Sequence, residues 1–299
     1  MGLKLSALTL TQRALNSINA PSQRAERARA VAQVYISDRG NRRGMEEAIC
    51  FLRDEADITC CLENSYIIVP DHCEPPPLPP RYGLKGGAAR ERLRASLLRG
   101  EIRAPRDVDL VRRGHFRIPE DDAAARQFMS IDYLHGARVE LIRNLERYLS
   151  SRDLTINELA SFHPTLSVSI LGLLDSIGSV IRPSYYRGGT LQKPPTLEGK
   201  IMLKMARLFA EGECRGESWL MVGIPDQVSF SEFDLAIHLN KAFQRGRDVA
   251  EKFLHTCSIL SLLPASNDLL GTTLEDLEHL RHGERGLLPD VPSDLWREF

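Results

Sequence analysis

Leu84-Lys85-Gly86-Gly87-Ala88-Ala89-Arg90-Glu91, followed one helix later by Arg106-Asp107-Val108-Asp109-Leu110-Val111, decides how this chain is read. The first segment is a short strand (Tyr82–Leu84) running into two glycines and a helix. That helix, Ala88–Arg99, carries Ala89, Leu93 and Leu97 on one face and stops at Gly100. Glycines permit positive φ and close backbone approach, and a helix start offers free N–H groups to an anion. The Gly-Lys-Ser/Thr ending of a Walker A loop is missing. The second segment reads as a strand, Asp107–Val111. Alternation puts Asp107 and Asp109 on one face, with Val108 and Leu110 turned to the core. Two carboxylates projected together repel unless a cation lies between them, and magnesium, which takes a few carboxylates plus phosphate oxygens, suits that place. A D-x-D on a solvated strand edge needs no function, and a Gly-Gly turn is often only a turn. Their spacing is what joins them.

A second strand, Ala137–Ile142, repeats the alternation, with Glu140 on one face and Val139 and Leu141 on the other. If it lies beside the first strand, Glu140 approaches the same metal ions; otherwise it is a surface residue on an edge. Three carboxylates around two ions is an arrangement suited to phosphoryl transfer to a hydroxyl.

Working outward, Ser22–Tyr35 and Met45–Arg53 read as helices and Ser65–Val69 as a strand. The run Glu74-Pro75-Pro76-Pro77-Leu78-Pro79-Pro80 can neither continue a helix nor donate in a ladder, and it marks the expected end of an N-terminal extension at residue 80. Ile156–Ser161 is expected to start a helix. Beyond Pro164 helices dominate: Leu166–Ile181, Thr196–Glu211, Ser231–Gln244, Asp248–Leu262 and Thr273–Arg281. The expected organisation is an extension over 1–80, a catalytic head over 81–163 and a helical body over 164–299.

Composition is that of an ordinary globular chain: 299 residues, 42% hydrophobic, 26% charged, net charge −1. The distribution of charge says more. Arg81 to Arg117 holds eleven Lys/Arg against four acids, a local field that attracts triphosphate or RNA unless it is simply a solvated helix face. The six cysteines lack C-x-x-C spacing and read as buried thiols of a reducing cytosol. No apolar run approaches the ~18–20 residues of a membrane span, and the first residues lack a secretory cleavage pattern. A cytoplasmic protein without a membrane partner is therefore expected.

The order Gly86-Gly87-Ala88-Ala89-Arg90-Glu91, then Arg106-Asp107-Val108-Asp109-Leu110, resembles the head domain of class II CCA-adding enzymes and bacterial poly(A) polymerases. These belong to the DNA polymerase β-like nucleotidyltransferase superfamily. Their pattern is G-G-x-x-R-D, then D-x-D. Ser151-Arg152-Asp153-Leu154-Thr155-Ile156-Asn157-Glu158-Leu159-Ala160 is similar to the family's R-R-D-x-T-x-N-A-x-A block, and Leu203–Ala210 echoes its L-R-A-x-R-F-A helix with Lys204 for the first arginine. The similarity covers roughly residues 82–212. It departs from the pattern at Glu91 and Ser151, and no E-D-x-x-R element, which selects bases in the family, follows residue 210.

The resemblance implies an α+β fold, with a polymerase-β-like head followed by a helical body. It implies that Gly86 and Gly87 hug a triphosphate, that Arg90 binds phosphate or the acceptor, and that Asp107 and Asp109 ligate magnesium. Arg152, Asp153 and Asn157 would contact the ribose and phosphates of the nucleotide. On the 196–211 helix, Lys200, Lys204 and Arg207 form a basic stripe that either receives triphosphate or RNA, or faces solvent. The expected activity is template-independent transfer of a nucleoside monophosphate from a ribonucleoside triphosphate (ATP among them) to an RNA 3′ hydroxyl, tRNA-like. A non-RNA acceptor, as for a toxin or defence factor, and a catalytically silent binding module are the rival expectations.

Overall fold

The computed structural model describes residues 21–38, 41–63, 65–98, 108–114, 131–134, 137–184, 195–225, 228–260 and 262. The chain forms two compact units, Met1–Val180 and Ile181–Phe299.

The first unit is α+β. In chain order its described elements are α1 (Pro21–Ser37), α2 (Arg42–Cys50) with a wider π-helical turn at Phe51–Glu55, β1 (Cys61–Glu63), β2 (Tyr66–Pro70), β3 (Tyr82–Lys85) and α3 (Gly86–Leu98). There follow β4 (Asp109–Arg113), β5 (Ile131–Leu134), β6 (Ala137–Ile142), α4 (Leu145–Ser150), a 3₁₀ turn at Thr155–Asn157, β7 (Leu159–Phe162), β8 (Thr165–Ser169) and α5 (Ile170–Gly178). The strands make one mixed sheet in the order β1-β2-β8-β7-β3-β4-β6-β5. Its pairings are antiparallel except β4 with β6, which run parallel.

One face of the sheet is mainly apolar. Ile67, Leu84, Leu110, Val139, Leu159 and Leu166 meet Val31, Phe51, Leu93 and Leu171 from the helices in one core. The other face carries a smaller cluster, in which Val111, Ile142 and Phe162 pack with Tyr148 and Leu149 of α4. Lys85, Asp109, Arg113 and Glu140 belong to this second face. Lys85 pairs across with Asp109, while Val111 pairs across with Glu140, so alternation aligns all four.

The unit runs through both boundaries expected from the sequence. β1 and β2, which lie before residue 80, extend the same sheet as β3 and β4. The proline run is tied down from within: Arg92 of α3 donates Nε to Asp71 Oδ2 (2.7 Å) and Nη2 to the Glu74 carbonyl (2.8 Å). The division falls at residue 180 because β8 and α5 still contribute to the sheet and its apolar core.

Two segments expected to be helical contain strands. Leu159–Phe162, which includes the last three residues of the helical segment expected at Ile156–Ser161, is a strand buried on both sides between β3 and β8. Burial of every side chain removes the alternation that marks a half-exposed strand, leaving a composition that reads equally as helix. Thr165–Ser169, which takes in the first four residues of the helix expected at Leu166–Ile181, forms a hairpin with it across His163-Pro164, whose peptide bond is cis. Helix α5 begins only after Ser169, whose Oγ accepts the Gly172 N–H at 2.9 Å and so caps it. A Cβ on Gly172 would lie 2.5 Å from the Thr155 carbonyl oxygen, so this position brings α5 against the 155–157 turn.

The second unit's described residues are mainly helical. α6 (Pro195–Cys214), α7 (Glu232–Phe243) and α8 (Arg247–Ile259) pack on one another, and Ser231 with Asp234 forms a capping box at the start of α7. The helix expected at Thr273–Arg281 lies outside the described residues. Among the described residues, no helix is long and apolar enough to cross a membrane.

Candidate active site

β3 ends at Lys85 and α3 starts at Gly86, so the chain turns from strand to helix within one residue. Gly86 makes that turn with φ +59°, a conformation in which a side chain is strained. The missing side chain has a second consequence. A Cβ on Gly86 would come within 2.8 Å of Asp109 Oδ2, so the Asp109 carboxylate rests on the glycine turn at the start of α3. Asp109 itself is exposed, at the first position of β4. The strand was expected to begin two residues earlier; Asp107 lies outside the described residues.

Glu140 reaches the same face from the adjacent parallel strand, as the alternation required. It meets two cations there. Lys85 Nζ donates to Oε2 at 2.6 Å, and Arg152 donates to both oxygens, Nη2 to Oε1 at 2.9 Å and Nη1 to Oε2 at 3.2 Å. Arg152 in turn lies over the Tyr148 ring, 4.1 Å from its centroid. Burial by itself would raise the Glu140 pKa, but Lys85 and then Arg152 outweigh it and hold the carboxyl below 4.5. Its stabilising contribution is therefore complete above that value and fades as pH falls through the depressed folded pKa. Glu140→Gln is expected to lower stability at pH 7 by about 1 kcal/mol, after discounting for a side chain that solvent still reaches. Thermal melts of both proteins should converge as pH drops below 4.5; a gap independent of pH would contradict the ion-pair account.

Arg90, one turn into α3, donates Nη1 to Asn157 Oδ1. Asn157 Nδ2 donates to Asp153 Oδ1 at 2.7 Å, and the same oxygen accepts the Leu154 N–H at 2.8 Å. Asp153 and Asn157 are thus hydrogen-bonded to each other, on a bend and a 3₁₀ turn instead of a regular helix. Tyr148 packs under Arg152 within the smaller apolar cluster. Burial raises its hydroxyl pKa, and Arg152, Glu140, Asp109 and Asp153 are all near enough to act on it electrostatically. Gly86, Asp109, Glu140 and Arg152, along with Arg90, Asp153 and Asn157, therefore lie in the first unit around one end of β3 and β4.

Lys85 and Tyr148 were not anticipated. Lys85 could have been found from its place on an alternating strand, and Tyr148 from its i, i+4 spacing to Arg152. The stripe on α6 differs from expectation. Arg207 is buried and paired with Glu211, and Lys200 lies 3.3 Å from Asp234. Leu203, Ala206 and Ala210 are buried as well as Ile201 and Met205, because α7 and α8 both pack on α6. The apolar surface is consequently too wide to leave Arg207 outside; Lys204 remains partly exposed.

Among the described residues, no three His, Cys, Asp or Glu side chains are grouped to share a metal ion. The donors at hand are Asp109 and Glu140, the second already held by cations. No protein-family model matches this chain, and no curated protein sequence matches it.

Proposed function

We propose that the protein is a template-independent RNA nucleotidyltransferase with a polymerase-β-like head, moving a nucleoside monophosphate from a ribonucleoside triphosphate to the 3′ hydroxyl of a tRNA-like RNA. The observation that carries this reading is the Asp109 carboxylate resting on the left-handed Gly86 turn, at the point where α3 begins. A triphosphate laid on that turn meets backbone N–H groups at the helix start and a carboxylate beside them. Magnesium, held by Asp107 and Asp109, would supply positive charge to the transferring phosphoryl group.

The chain's own residues orient and neutralise. Arg152, now bidentate on Glu140, can offer the same pair of donors to a phosphate, leaving Glu140 to Lys85. Asn157 and Asp153, held by Arg90, suit the ribose hydroxyls. In the transfer, the acceptor oxygen bonds to the α-phosphorus and the bond from that phosphorus to the bridging oxygen breaks. Pyrophosphate leaves with the electron pair, and the hydroxyl proton passes to water. Positioning and electrostatics suffice for such a step without a covalent enzyme intermediate.

The deciding experiment incubates the purified protein with total RNA, magnesium and each α-labelled ribonucleotide in turn. Label in RNA from one or a few nucleotides is the expected result. Label appearing instead in protein or a small hydroxylated acceptor would retain the chemistry and overturn the RNA acceptor. No label in any acceptor would overturn the enzyme.

A further inference from the structure

We infer that a cleft at the opposite end of β3, β4 and β6 binds the sugar–phosphate backbone of a single-stranded polynucleotide. The cleft has a volume of about 530 Å³ and is lined by Arg81, Arg113, Arg143, Tyr66, Ile142 and Leu145. The strand register assembles it. Tyr82 pairs with Arg112, which sets Arg81 beside Arg113, and the Arg113 N–H donates to the Arg81 carbonyl at 2.9 Å. β6 runs parallel to β4 and delivers Arg143 to the same end, where the Gly114 N–H reaches the Ile142 carbonyl.

Three arginines line the cleft, and among the described residues no carboxylate does. The acids nearest Tyr66 are engaged: Glu146 accepts from the Ser65 N–H and Oγ at 3.2 and 3.0 Å, and Glu63 bonds the Tyr66 hydroxyl. Arg113 is fixed in place, stacked 4.1 Å from the Phe162 ring centroid and donating Nη2 to Ser167 Oγ at 3.1 Å. Its buried Nε has no acceptor among the described residues. Arg81 stands at φ +73°, a left-handed conformation that an arginine adopts at an energetic penalty and a glycine would not. Backbone strain at a residue whose side chain enters a cleft points to a use for that side chain.

Three arginines around one cleft fit the repeating phosphates of a sugar–phosphate backbone, whereas Tyr66 and Ile142 in its lining are largely buried and leave the bases little to rest on. Arg113 shares its sheet face with Asp109, four residues along the strand, about 13 Å away. One strand can therefore occupy the cleft with its end near the candidate active site. Its identity as the acceptor rests on the transfer reading above; binding by the cleft does not.

The test is fluorescence anisotropy of a fluorescein-labelled single-stranded oligouridylate titrated with the full chain at several salt concentrations. Arg81→Gly with Arg143→Gln is expected to weaken binding at least tenfold, and to flatten the slope of log affinity against log salt by about 1.4, two phosphate contacts' worth. Arg81→Gly alone should weaken binding without lowering Tm, since glycine relieves the strain, which excludes misfolding as the cause. Unchanged affinity and slope in the double variant would overturn the proposal. So would displacement of the oligonucleotide by inorganic phosphate at matched ionic strength, which would mark a single-anion site. A protein that binds the oligonucleotide through these arginines yet transfers no nucleotide would uphold the cleft and refute only the enzymatic reading.

Discussion

Asp109→Asn is expected to cut nucleotidyl transfer by at least about 10³-fold, the kinetic equivalent of the several kcal/mol a metal-held phosphoryl group gains. The same change should move Tm by no more than a few degrees. Asp109 is exposed at the first position of β4, away from the residues that make either apolar cluster, and substitutions at such places usually shift stability little. Asparagine keeps the shape that lies over Gly86 and one acceptor oxygen, while the charge is lost and the second oxygen becomes an NH2 donor. Steady-state transfer with labelled ribonucleotide, beside a thermal melt, separates the two effects. Wild-type turnover in the variant would remove Asp109 from the metal and with it the proposed chemistry. Asp107→Asn tests its predicted partner in the same assay.

How much of this site could be read from sequence depends on the range of the forces that build it. The alternation in β4 and β6 is local, so it puts Asp109 and Glu140 on their strands from sequence alone, and the glycine pair marks the turn into α3, which begins at Gly86 and not at Ala88. That Asp109 and Glu140 share a face follows from alternation once β4 and β6 are neighbours, and the pairing confirms that adjacency. What local pattern does not encode is the partner of a charge. Glu140 meets Lys85 from 55 residues away as well as Arg152 from 12, a pairing set by sheet order. The same applies to β7: Leu159–Phe162 is a strand only because β3 and β8 lie on either side of it. Arg207 illustrates the opposite error. Its helical spacing to Lys200 and Lys204 was read correctly, but spacing gives a direction around an axis and not what packs there.

The proline run hides the other large effect. Read as a linker, it should tolerate substitution in what it touches; held by Arg92, it should not. The Arg92 and Asp71 side chains are 5% and 0% exposed, and Asp71 also accepts from Ser161 Oγ at 2.9 Å. Arg92→Leu leaves that carboxylate buried without its cation and is expected to destabilise the protein by about 3–5 kcal/mol, roughly 10 °C in Tm. The pH dependence gives the sharper signature. In the native protein burial would raise the Asp71 pKa, but Arg92 and Ser161 pull it below 3.8, so its contribution is present above that pH and lost in acid. Without Arg92, burial dominates and the folded pKa rises above the unfolded one. The carboxyl then stabilises only when protonated, a contribution present at low pH and lost as pH climbs through the raised value. Arg92→Leu should accordingly gain stability on acidification from pH 7 towards pH 4.5, where the native protein gains none from Asp71. Adding Asp71→Leu to the variant should recover part of the loss, because a carboxylate that is absent needs no partner. A double variant as unstable as the sum of both single ones would mean that the pair is incidental and that packing alone anchors the run to α3.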